Sequence, residues 1–148
     1  MSNITVFLDN FAISRDRPAL IAPSENRELT YGEIISRMSR TARVLAEQGV
    51  VKGDRVCIYL DSCPEYLISY FAIWRIGAVA VPANISLREN ELAYAIRDSG
   101  ARIVLHDGSG APVTRGAVLK SGSSCTGLNL DQLNTSREDT RVFPHVNC

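Results

Sequence analysis

The chain has no excess of charge of either sign. Its 148 residues hold 16 Lys+Arg and 16 Asp+Glu, so no long-range field draws nucleic acid or an anionic membrane to the surface, and nucleic-acid binding is not expected. Histidine is also scarce, with His106 and His145 far apart in the chain. The four cysteines, Cys57, Cys63, Cys125 and Cys148, show no C-x-x-C spacing, so a zinc site is not expected. The first residues, Met1 to Asp9, carry no basic segment, and Asp9 cuts their apolar run before a signal-peptide core could form. The expectation is a cytoplasmic protein with reduced thiols.

Several catalytic signatures are missing as well. There is no G-x-S-x-G elbow, and His106 has only the adjacent Asp107 as a local partner, which gives hydrolase chemistry no support. A phosphate cradle needs glycine-bared amides at a strand-to-helix turn, usually with a lysine. The stretch Ser121 to Gly127 has small hydroxylated residues, but no lysine follows it and no clear strand precedes it. Gly108-Ser109-Gly110 follows a strand pattern, yet Pro112 and Val113 occupy the rest of the dinucleotide fingerprint and its third glycine is absent. Tyr66 to Ile85 is long and apolar enough to suggest a membrane span. Arg75 near its centre would cost about 2.5–3.5 kcal/mol there, and Gly77 with Val79 and Val81 reads as a buried helix running into a strand.

What the chain does contain is alternation. From residue 19 to 106, short β-branched runs alternate with helical patterns, which predicts an α/β fold with a mainly parallel sheet and crossover helices. A domain of this size buries about 68–70% of the surface its unfolded chain exposes. Ala19–Ala22 reads as a first strand. Thr30 and Glu33 then form a capping box that starts a helix at Tyr31, with Ile34, Ile35, Met38, Ala42 and Leu45 on its apolar stripe and Gly49 at its end. Arg37, Arg40 and Arg43 read as its solvated face. Arg55–Leu60 is the next strand, and Pro64 opens an apolar helix through Trp74 that must be covered on most sides. Ala78–Val81 reads as a central strand closed by Pro82. Ser86 and Glu89 suggest a second capping box, Gly100 a helix end, and Arg102–His106 a last strand. After Asp107 the Gly/Ser-rich character predicts a mostly irregular run over 107–148, in which only Leu128, Leu130 and Leu133 suggest a further short element. The expected division is therefore 1–107, structured, and 108–148, an irregular tail.

The motifs Leu29-Thr30-Tyr31-Gly32-Glu33, Val51-Lys52-Gly53-Asp54-Arg55-Val56, Pro64-Glu65, Gly77 to Pro82, and Leu92 to Ala101 stand in a particular order. From about Pro18 to Asp107 this order resembles the N-terminal subdomain of the ANL superfamily of adenylate-forming enzymes, which includes acyl-CoA synthetases, peptide-synthetase adenylation domains and luciferases. Val81-Pro82-Ala83-Asn84 resembles the acyl-CoA ligases more than the peptide-synthetase domains. For the full-length family the resemblance implies ATP, magnesium and coenzyme A. A carboxylic acid is activated to an acyl-adenylate with release of pyrophosphate, and the acyl group passes to the coenzyme A thiol.

Within the family, phosphate handling, the acyl pocket, the ribose aspartate and the catalytic lysine belong to later segments without counterpart here. No catalytic, cofactor-binding or metal-binding residue is assigned, and no cofactor is expected on this chain. Glu138 to Phe143 resembles the acidic lead into the strand before the phosphate loop, and Pro144 to Cys148 departs from the pattern. The expectation is a truncated, acyl-CoA-ligase-like protein, inactive by itself. An alternative is a non-catalytic module that binds a protein partner or itself through exposed apolar faces. A further alternative is a single-thiol redox protein at Cys63, which precedes a helix start where amide dipoles can lower a thiol pKa.

Overall fold

The computed structural model describes residues 4–6 and 15–134. Two strands, β1 (Pro18–Ala22) and β2 (Arg27–Thr30), pair antiparallel, with Leu20 opposite Leu29 and Ala22 opposite Arg27. The single turn Pro23–Glu25 joins them, and Asn26 takes the left-handed conformation at φ 50° that asparagine tolerates. This hairpin is a separate two-stranded sheet, so Ala19–Ala22 is not a strand of the parallel sheet as the alternation suggested. The pairing strand β2 lies in the short polar run before the capping box, where no period marks it.

Helix α1 (Tyr31–Glu47) begins where the capping box predicts. The Thr30 amide donates to Glu33 Oε2 at 2.8 Å, and the Glu33 amide donates back to Thr30 Oγ1 at 3.3 Å. Its buried stripe is Ile34, Ile35, Met38, Thr41, Ala42 and Leu45. The arginines are not a solvated face. Arg37 donates to Glu65 at 3.1 Å, Arg40 to the Leu133 carbonyl at 3.3 Å, and Arg43 lies 3.8 Å from Glu47. Long side chains can lay their stems on apolar surface and still reach such partners, which a count of polar positions cannot show.

The main sheet comprises β3 (Arg55–Tyr59), β4 (Val79–Pro82), β5 (Ile103–His106) and β6 (Thr126–Asn129). All pairings are parallel, in the order β4-β3-β5-β6. Val56 lies between Ala80 and Ile103, and Cys57 between Val81 and Val104. Because side chains alternate along each strand, Val56, Ile58, Ile103 and Leu105 face one core with α1 and α2 (Pro64–Arg75). Cys57, Tyr59 and Val104 face a second core with α3 (Glu89–Ser99) and α4 (Ala111–Ser121). Both faces are thus covered by helices, as parallel sheets require. In α2, Pro64 sits in the first turn, Ile68, Ala72 and Ile73 are buried, and Tyr66, Tyr70 and Phe71 pack partly buried against the first core. No helix among the described residues is long and apolar enough to cross a membrane.

Three further expectations are corrected. Strand β4 is an outer strand among the described residues, with Val79 46% exposed; a Val-Ala-Val run reads the same at an edge and at a centre. Helix α3 starts at Glu89 rather than at a Ser86 cap. The Ser86 amide donates to Asn84 Oδ1 at 2.8 Å, and Glu91 instead accepts from the Arg88 amide at 2.8 Å, so a local Asn turn outcompetes the earlier cap. The buried Tyr59 hydroxyl lies 2.9 Å from the Ile85 carbonyl and 2.7 Å from that of Leu87, which holds this loop in place.

The third correction concerns the run after Asp107. It is not irregular over 111–134, where α4, β6 and the short α5 (Asp131–Asn134) form. Helix α4 buries only Thr114, Ala117 and Ser121. Small residues let it approach α3 closely, with the Glu89 carboxylate over Gly116 and 2.6 Å from Lys120. A buried face built from Thr, Ala and Ser carries no hydrophobic period. The lead Glu138–Phe143, His145 and Cys148 lie outside the described residues.

Candidate functional site

The chain crosses from β3 to β4 over one face and from β4 past β3 to β5 over the other. The connections therefore diverge between β3 and β5. In open parallel sheets such a divergence leaves a crevice beyond the carboxyl ends of the strands, where ligands bind. A crevice of about 430 Å³ occupies this place. It is lined by Leu60 and Cys63 after β3, by Asp107 after β5, by Leu130 and Asp131 after β6, and by Glu65, Arg27, Arg37 and Glu25 around its mouth.

Its charges are spent on one another. Glu65, in the first turn of α2, accepts from Arg27 of the hairpin at 2.7 and 3.1 Å and from Arg37 of α1 at 3.1 Å. Arg27 also pairs with Glu25 at 2.7 Å. Burial pushes the Glu65 carboxyl up, but the Arg27 hydrogen bonds, the helix-start amide and the charges of Arg27 and Arg37 outweigh it, so the group lies below the usual carboxylate range. Asp107 is likewise pushed up by burial and held low overall by the Ser109 hydroxyl and the Gly110 and Ser109 amides. Asp107 Oδ1 accepts from Ser109 at 2.7 Å and from the Gly110 amide at 2.8 Å, and Asp131 Oδ2 accepts from the Gly108 amide at 2.7 Å. Both aspartates therefore brace the β5–α4 loop. Among the described residues of the crevice, a doubly paired, ionised glutamate and two loop-bracing aspartates leave no free carboxylate base, and the two arginines already have anions.

The positions weighed in the sequence fall as follows. The Gly108 and Gly110 amides, which a phosphate would need, are taken by Asp131 and Asp107. Ser121 to Gly127 leads into β6 and so lies at the amino end of the sheet, opposite the crevice; Ser121 donates to the Val118 carbonyl at 2.8 Å. His106 is buried, with Nδ1 2.7 Å from the Asp107 carbonyl. Among the described residues no group of three or more His, Cys, Asp or Glu is placed to hold a metal ion.

Cys63 does reach the crevice. Burial pushes its thiol up, against the lowering by the Tyr66 and Glu65 amides, and burial prevails. We expect Cys63 to alkylate slowly with iodoacetamide at pH 7 and to titrate above the ordinary thiol value. Fast alkylation with a midpoint below pH 7 would restore the thiol-redox alternative. Arg27, Arg37 and Glu65 escaped sequence reasoning because their contacts span 38 and 28 residues; no local pattern joins them.

Fold and crevice define a class: a doubly wound α/β unit with its ligand position at a topological switch point. Within that class the family is identifiable. A sequence model described as "AMP-binding enzyme" matches residues 7–144, and the chain belongs to that family. It is similar to a crotonobetaine/carnitine–CoA ligase of Citrobacter koseri, 29% identical over 141 residues, covering 93% of this chain and 27% of the relative. It is also similar to the long-chain-fatty-acid–CoA ligase FadD13 of Mycobacterium tuberculosis, 33% identical over 114 residues, covering 76% of this chain and 23% of the relative. Among solved structures, the N-terminal domain of FACL13 from Mycobacterium tuberculosis superposes with a TM-score of 0.85 at 28% identity, over 100% of this chain and 39% of that one. The chain thus spans 27% and 23% of the length of these two curated relatives.

Proposed function

We propose that this chain is the sheet-bearing scaffold of an AMP-forming acyl-CoA ligase acting in the cytoplasm, and that the 148-residue chain does not adenylate an acid by itself. The whole protein would use ATP and magnesium to convert a carboxylic acid to an acyl-adenylate, release pyrophosphate and pass the acyl group to coenzyme A. The observation that carries the reading is the superposition of 99% of the chain on a Mycobacterium tuberculosis fatty acyl CoA synthetase, with a TM-score of 0.82 at 28% identity.

The residues present do not fit the phosphates or the metal. Adenylation needs preorganised donors aimed at the transferring phosphate. Among the described residues, the arginines of the crevice are engaged by Glu65 and Glu25, and the loop amides by Asp107 and Asp131. We expect acid-dependent ATP–pyrophosphate exchange by the pure chain to stay at the protein-free rate across short, long and aromatic acids. Exchange that rises with acid and protein would overturn the inactivity of the isolated chain.

A second reading, a protein-binding or self-associating module, draws on one observation. Leu20, Ile21, Ala22, Pro64, Tyr66 and Leu67 line an open apolar groove between the hairpin and α2, with Ile21 65% and Leu67 37% exposed. Such surfaces mark interfaces. A monodisperse, well-folded monomer by light scattering, with no partner retained, would remove it.

A further inference from the structure

The open strand edges among the described residues are those of β4 and β6, at the two sides of the main sheet, and those of both hairpin strands. Charge, proline and glycine discourage an edge from pairing with another chain. Strand β2 carries Arg27 and Glu28, β4 ends in Pro82, and β6 contains Gly127 and is flanked by Arg115. Strand β1 has no such guard after its first residue, Pro18: Ala19 to Ala22 are all apolar, and Ile21 is 65% exposed. Two strands alone also make a marginal sheet, which gains stability from further strands.

The groove between the hairpin and α2, of about 300 Å³, runs along this edge. Leu20, Ile21 and Ala22 all line it, although consecutive side chains point to opposite faces of a strand, so it follows the side of β1 rather than one face. Pro64, Tyr66 and Leu67 of α2 form its far wall, and no charged residue among the described ones lines it. The groove therefore suits an uncharged, extended apolar strand with backbone groups to share, and β1 itself answers that description. Resting on the reading of this chain as a self-associating module, we infer that a second copy of the chain fills the groove, the β1 of one protomer pairing antiparallel with that of its partner about a two-fold axis. An antiparallel strand pair is its own match under that symmetry. No like charges meet across the axis. The lining is uncharged, the nearby Arg27 and Glu65 neutralise each other at 2.7 Å, and 16 basic against 16 acidic residues leave no long-range repulsion between copies. The two hairpins become one four-stranded sheet, and Ile21 and Leu67 of both copies leave water.

The test is sedimentation equilibrium of the chain over a wide concentration range, with amide hydrogen exchange read at both ends of it. A reversible dimer is expected, with the β1 amides protected only at high concentration. Ile21→Lys, at an exposed position where an edge lysine is tolerated, keeps the fold and weakens the dimer about a hundred-fold, since the two-fold axis counts the substitution twice. Val79→Lys, on the open edge of β4, leaves the dimer unchanged. A dimer that survives Ile21→Lys, that is lost with Val79→Lys, or that leaves β1 exchange unaltered would overturn the β1 pairing. So would a monomer at every concentration. A lysate pull-down separates that last result from failure of the association reading itself: a monomer that retains another protein, and loses it with Ile21→Lys, keeps the groove an interface but not one between copies, whereas a monomer that retains nothing removes both.

Discussion

Glu65→Leu is expected to destabilise the chain by about 2 kcal/mol, roughly a thirty-fold fall in the folded-to-unfolded ratio. Glu65 has 17% of its side chain exposed, whereas Arg27 and Arg37 retain 32% and 31%. Removing one partner of a fully buried pair costs about 3–5 kcal/mol, and we reduce that because both arginines keep access to water. Arg27 also retains Glu25, so Arg37 loses more. The pH dependence has a definite sign. A carboxyl held below its unfolded value of about 4.3 leaves the unfolded chain binding more protons in acid. The stability contributed by Glu65 is therefore fully present above about pH 5 and is lost as pH falls through its lowered folded value. Denaturant melts of wild type and Glu65→Leu should differ by a constant amount from pH 5 to 7 and converge in acid. A gap that widens below pH 4 would contradict this account.

The same glutamate shows where sequence reasoning stops. Features that depend on a few neighbouring residues were legible: the Thr30–Glu33 box, Pro64 in the first turn of α2, and the end of α3 at Gly100 all stand where local chemistry puts them. The α/β alternation from α1 to β5 was legible for the same reason, since those helices and strands carry their own periods. Strand order was not. Val79–Pro82 looks central by composition and lies at an edge among the described residues, and the switch-point crevice exists only because β5 returns past β4 to pair with β3. Cys63 was found by its local position and does reach the crevice, but its raised thiol depends on burial that no neighbour in sequence supplies. Helix α4 was missed because its buried face is Thr114, Ala117 and Ser121, small residues chosen by the closeness of α3 rather than by hydrophobicity.

At the opposite, amino end of the sheet, Gly100→Ala is expected to cost about 2 kcal/mol, and a matched control separates its two causes. Gly100 ends α3 at φ +64°, a left-handed conformation in which a Cβ costs about 1 kcal/mol. Here the Cβ would also fall 2.8 Å from Arg55 Nη2. Arg55 is not free to swing aside at no cost. Its Nε donates to the Ser99 carbonyl at 3.0 Å and its Nη2 to the Gly100 carbonyl at 3.1 Å, satisfying carbonyls that the last turn of a helix leaves open. Losing these exposed, charge-assisted bonds adds about 1 kcal/mol. Gly122 ends α4 at nearly the same angle, φ +66°, with nothing within 4 Å of its would-be Cβ. Gly122→Ala should therefore show the conformational part alone, about 1 kcal/mol. In an Arg55→Ala background, Gly100→Ala should fall to the Gly122→Ala value, because the contact that distinguished them is gone. Equal costs for the two glycines in the wild-type background would mean that Arg55 yields freely and does not cap the helix.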